Sequence, residues 1–177
     1  MAPLFINNIA VETVTKFKFL GTYVTHKLTW DYNCDTILLK ARQRLYFLRK
    51  LKSYNVNKTI LISFYRGIVE SILTASITVW FDRASIRHLT KLQAVIRNAE
   101  RIIGAPLPSL QSIYLLQLES KRNKIMNDSF HPAHQYFDML PSGRRLRAFK
   151  GTKRFLNSTY PQTVKLYNGT KILKSML

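Results

Sequence analysis

A chain of 177 residues, 46% of them hydrophobic, is long enough to build one domain around its own core. Its 28 Lys and Arg against 9 Asp and Glu give a net charge of +19, which predicts a polyanionic partner, nucleic acid before an anionic membrane. A single cysteine, Cys34, excludes a disulfide framework and a cysteine-based zinc finger within the chain.

Residues 1–8 carry no strong pattern and are expected to form a loose start. Residues 11–24 are rich in Thr, Val, Phe and Tyr; Phe17 and Phe19 alternate with Lys16 and Lys18, and Gly21 interrupts. That alternation predicts two short strands around a turn. Asp31 or Asn33 is placed to cap a first helix. In it Ile37, Leu38, Ala41, Leu45, Leu48 and Leu51 recur at steps of three and four, while Lys40, Arg42, Arg44, Arg49 and Lys50 fall off that face. Asn57 is the expected N-cap of a second helix, whose wide stripe of Ile60, Leu61, Phe64, Tyr65, Ile68, Val69, Ile72 and Leu73 suits burial on more than one side. The apolar run after it predicts extension to about Val79. These two helices, spanning 36–73, form an expected antiparallel hairpin around which the rest is organised.

Ser85 is placed to cap a third helix over 86–103, striped by Leu89, Leu92, Val95, Ile96, Ala99, Ile102 and Ile103 and stopped by Gly104. Ser109 opens a fourth helix to about Asp128, and a short fifth is expected over 133–140. From Lys121 onward there are 12 basic and 2 acidic residues, and the stretch after Gly143 reads RRLRAFKGTKRF with poor periodicity. It predicts a basic, partly ordered tail, loosest over 167–177. The expected fold is mainly α: a bundle of roughly four to five antiparallel helices with a small N-terminal β-hairpin. The chain divides into a hairpin appendage at 1–30, a helical domain at 31–140 and a basic extension at 141–177. No uninterrupted apolar run of about 18 residues is present, so no transmembrane helix is expected. The N-terminus lacks a basic, apolar leader, which predicts an intracellular protein, nuclear or cytoplasmic, rather than a secreted one.

Seven pieces in order carry a family resemblance: FKFLG at 17–21, LTW at 28–30, KARQRLYFLRKLK at 40–52, FYRGIVESILT at 64–74, LQAVIRNAERIIG at 92–104, HPAHQYFDMLPSGRR at 131–145 and FLNSTYPQTVKLYN at 155–168. The series resembles the end of a reverse transcriptase from a non-LTR, LINE-type retrotransposon. The resemblance implies the primer-grip edge, the helical thumb and the basic tail that follow the polymerase palm, hence a piece of that enzyme without its catalytic centre. A shorter segment, about 33–73, is similar to the N-terminal part of AlkB homologue 8. That family joins an iron/2-oxoglutarate dioxygenase to a methyltransferase.

The residues for those chemistries are not found in the sequence. Polymerisation needs carboxylates that hold two divalent metals, and no two of the nine acids are adjacent. No His-x-Asp iron motif and no Gly-rich phosphate or methyl-donor loop occurs. His131 and His134 are spaced for a metal but have Pro132 between them and only Asp138 near. The expectation is therefore a chain without catalytic residues, metal or cofactor. Its expected activity is backbone-directed binding of nucleic acid, as an RNA-containing duplex or a single strand. The candidate contacts are Lys16 and Lys18 (with Lys27) near the hairpin; Lys40, Arg44, Arg49 and Lys50 on the first helix; and Arg87, Lys91, Arg97 and Arg101 on the third. The tail adds Arg144, Arg145, Arg147, Lys150, Lys153 and Arg154, with Phe149 and Phe155 placed to stack on unpaired bases. The competing expectation is a basic amphipathic module for a protein or membrane surface.

Overall fold

In the computed structural model, which describes residues 4–175, the chain is mainly helical with two short β-hairpins at its start. The first pairs β1, Phe5–Ile6, with β2, Ile9–Ala10. Asn7 and Asn8 turn between them at φ 49° and 61°, the left-handed backbone that asparagine tolerates. This corrects the expectation of a patternless start; residues 1–3 lie outside the described residues. The second hairpin pairs β3, Lys16–Phe19, with β4, Thr22–Thr25, the two short strands that the alternation predicts, in the register Phe17 to Val24. The Tyr23 amide donates to Asn33 Oδ1 at 3.0 Å and fastens this hairpin to the first helix.

That helix, α1, spans Asp31–Ser53. Neither expected cap is used: Trp30 stands at the N-cap without a side-chain bond, and Asn33 is buried within the first turn serving the hairpin. The second helix begins as expected, with Asn57 Oδ1 accepting from the Thr59 amide at 2.9 Å. It runs as α2, Lys58–Phe64, then a π-helical segment, Tyr65–Glu70, then α3, Ser71–Thr74. In the π register the Ser71 amide reaches back five residues to the Arg66 carbonyl. The Ser71 hydroxyl then donates to the Gly67 carbonyl at 2.6 Å.

The widened turn has a packing consequence. Leu61, Tyr65, Val69, Leu73 and Ile77 are each fully buried, a row in strict steps of four. In a plain α-helix such a row drifts by about 40° per step. Wider turns lower the drift and keep the row on the core. The expected extension to Val79 is interrupted at Ala75 (ψ 120°) and Ser76 (φ 50°) before α4, Ile77–Trp80. Trp80 Nε1 donates to the Ala75 carbonyl at 2.9 Å across the break. Within Lys58–Arg83 an 18-residue window reaches a mean hydropathy of 1.4, so the segment is long and apolar enough to cross a membrane by length and composition. The expectation of no transmembrane helix rests on uninterrupted apolar runs, a narrower criterion than the one this segment meets. Here its buried row packs with α1 and the later helices in the main core.

The third long helix, α5, spans Ile86–Ile103 between the predicted Ser85 cap and Gly104, which is left-handed at φ 72°. It lies along α1. Ser109 caps α6, Leu110–Asn127. The expected fifth helix over 133–140 is instead a 3-10 turn at His134–Tyr136, followed by a bridge between Met139 and Leu146. The tail holds α7, Lys153–Leu156, and α8, Thr159–Ser175, so 167–175 is helical rather than loose; residues 176–177 lie outside the described residues. Ile125, Ala133, Phe137, Leu146 and Val164 form a second, smaller core that anchors the tail to the end of α6.

Candidate nucleic-acid interface

Six of the nine carboxylates have a hydrogen-bond or ion-pair partner within the chain, four of them at exposed positions. His88, buried on α5, places Nε2 at 3.1 Å from Asp35 Oδ1 and Nδ1 at 3.2 Å from Asp31 Oδ1. Asp82 Oδ2 accepts from the Tyr114 hydroxyl at 2.8 Å. Glu100 accepts from the Leu107 amide, Asp128 from the Phe130 amide, and Glu119 from Arg122. The only Lys or Arg that forms an ion pair among the described residues is therefore Arg122. None of the sixteen cations named from the sequence is neutralised by a carboxylate among the described residues.

Fifteen of those cations are exposed, and Lys91 is half-buried. Helical geometry divides the α1 set. Lys40 and Arg44 lie four apart on one flank of the buried face, Arg49 lies on the other flank, and Lys50 points opposite the core. On α5, Arg97 and Arg101 share the outer face. The cations of α1 thus do not form one stripe, although α1 and α5 pack side by side.

The structure does bring the tail to the hairpin. Arg154, on α7, donates from Nη2 to the Lys27 carbonyl at 3.1 Å across 127 residues of sequence. Arg83 lies 5.1 Å from the ring centre of buried Trp30. Burial, then the nearby Arg154 charge, pushes the Arg83 guanidinium below its ordinary range. Arg83 Nε and Trp30 Nε1 are buried without a hydrogen-bond partner. Lys27, Arg83 and Arg154 therefore gather at one corner. Arg83 is not among the cations named from the sequence; a cation beside a second cation across the chain has no local signal.

Lys16 Nζ sits 4.2 Å from the Tyr32 ring centre and Lys18 Nζ 6.0 Å from that of Tyr23, so the hairpin cations rest on aromatic faces. In the tail, Phe149 is half-buried against the second core, which removes it as a free stacking platform. Phe155 is exposed and edge-on to Phe149 at 5.7 Å. Gly151, at φ 157°, lets Phe155 approach: an added Cβ would meet its Cδ1 at 2.8 Å.

No group of three or more His, Cys, Asp or Glu suited to a metal occurs among the described residues. His131 Nδ1 accepts from the Ala133 amide, and His134 Nδ1 lies 2.9 Å from the Ile125 carbonyl, so both rings are engaged in local structure. Cys34 is buried, and burial, then the Asp31 and Asp35 charges, pushes its thiol up to about 12, far from a reactive thiolate. A cleft beside α6, lined by Lys121, Lys124, His131 and Ser120 among others, adds two lysines that the sequence reading passed over.

A family model described as "Alkylated DNA repair protein alkB homolog 8, N-terminal" matches residues 30–71, which are α1, α2 and the π-helical segment. That is 42 of the 177 residues, the segment similar to this family in sequence. No curated protein and no solved structure matches the chain.

Proposed function

We propose that this chain is a non-catalytic binder of nucleic acid that grips the phosphate backbone, akin to the thumb and tail of a LINE-type reverse transcriptase. The observation that supports the reading is the imbalance of pairing. Most carboxylates have partners within the chain, while sixteen exposed or half-exposed cations on hairpin, helices and tail have no carboxylate partner among the described residues. Such cations release counterions when they meet phosphate, and the energy gained carries no sequence preference. An RNA-containing duplex or a single strand is the expected ligand, since both are read by backbone and shape.

The match over residues 30–71 favours a second reading of the α1–α2 hairpin as a domain of the AlkB homologue 8 N-terminal type. We attach to it no dioxygenase or methyltransferase activity, because the iron-binding and methyl-donor motifs are not in the sequence. The reading is tested by comparing charge-removed variants of three elements: Lys16→Ala/Lys18→Ala, Arg97→Ala/Arg101→Ala, and Arg144→Ala/Arg145→Ala/Arg147→Ala. Each should weaken RNA–DNA duplex binding by a similar factor for unrelated sequences. Unchanged affinity in all three would overturn the reading.

A further inference from the structure

The second helix carries two apolar rows, and only one is fully covered by this chain. The row Leu61, Tyr65, Val69, Leu73, Ile77 is fully buried. The adjacent row is covered only in part: Phe64 and Ile72 are half-buried against the main core, whereas Ile60 is 56% and Ile68 40% exposed. Phe64, Ile68 and Ile72 border a groove of about 620 Å³ whose other wall, from α1 and its C-cap, is Arg44, Phe47, Lys50, Leu51 and Tyr54. The groove is apolar inside, has cations on one wall, and no carboxylate lines it. Gly67 and Ser71 are part of its lining, and a Cβ at Gly67 would meet nothing within 4 Å. That wall runs from Arg44 to Tyr54, about 15 Å or nearly three helical turns.

We propose that this groove docks an amphipathic helix of a partner protein, one with aliphatic residues along its buried face and acidic residues on the flank that meets Arg44 and Lys50. A concave slot between two helices takes the ridge of a third, covering the exposed part of the row. The cations of one wall select acid on the incoming helix. Two-fold pairing of the groove with its own copy would set Arg44 and Lys50 against like charges. A bilayer surface presents no ridge to a concave slot.

The probes are two fluorescein-labelled 16-residue helical peptides sharing a Leu face at steps of three and four. One is flanked by Glu and the other by Lys. Fluorescence anisotropy on the full chain should show the Glu peptide binding at least about tenfold tighter. Gly67→Phe, which puts a ring into open groove, should weaken it by about tenfold or more with the helical circular dichroism unchanged. Ile68→Glu, at an exposed position, should do the same and guards against a folding defect in the first variant. Arg44→Glu/Lys50→Glu should reverse the preference between the peptides. RNA–DNA duplex binding by Gly67→Phe should stay within about twofold, since the other cations are untouched. Equal binding of both peptides, or affinity unaltered by both groove-filling variants, would overturn the proposal. So would single-stranded RNA or anionic vesicles being the ligand that those variants release.

Discussion

His88 Nε2 lies 3.1 Å from Asp35 Oδ1, joining α5 to α1 across 53 residues of sequence. The same imidazole has Ser85 Oγ at 2.7 Å, so the helix-capping serine also positions the ring. His88→Ala removes a bond to a charged acceptor and part of the α1–α5 contact. It should lower unfolding free energy by about 1–3 kcal/mol in a urea titration. Asp35→Ala alone should cost less, because its carboxylate is well exposed and Asp31 still faces the ring.

Burial raises the Asp82 carboxyl above its ordinary value of 3.8, outweighing the Tyr114 hydrogen bond and the Lys165 charge, which lower it. The folded state therefore binds the proton more tightly than the unfolded one. This group's contribution is fully present below the unfolded value and is lost as pH rises through the folded one. Asp82→Asn keeps an oxygen to accept from Tyr114 and removes the buried charge. The variant should gain stability relative to the parent as pH rises from about 4 to 7, and the gain should vanish at lower pH. Thermal melts across that range measure it.

Two left-handed residues should respond in opposite directions. Ser76 holds φ 50° at the break before α4, and Gly104 holds φ 72° after α5. Ser76→Gly should raise stability by up to about 1 kcal/mol, and Gly104→Ala should lower it by about 1 kcal/mol. Denaturant midpoints distinguish the two signs.

The Arg154 to Lys27 bond ties α7 to the corner between β4 and α1. Arg154→Ala should speed amide exchange over residues 26–30 by about three- to tenfold while exchange within α5 stays unchanged. Uniform exchange in both regions would deny that the tail braces the hairpin.

The legible parts of the sequence are the punctuated ones. α5 could be bounded closely because Ser85 and Gly104 bracket a clean apolar stripe, and α6 because Ser109 follows two prolines. The break at Ala75–Ser76 was hidden in ASITVWF, a run with neither glycine nor proline, where a tryptophan bond to a carbonyl replaces local signals. Helix α8 was obscured by Pro161, which sits in its first turn where a missing amide costs nothing, and by Gly169. For the candidate interface, residue type was readable and pairing was not. Sequence marks Arg97 as basic; only the fold reveals that Asp31 and Asp35 are turned toward His88.

The most direct measurement is binding of the purified chain to a labelled RNA–DNA duplex across a salt series, with circular dichroism on the same sample. A helical spectrum with affinity falling about 10³- to 10⁵-fold between roughly 50 and 200 mM salt is the predicted result, corresponding to about six to ten phosphate contacts. A helical spectrum with affinity absent, or indifferent to salt, would contradict a backbone-gripping protein.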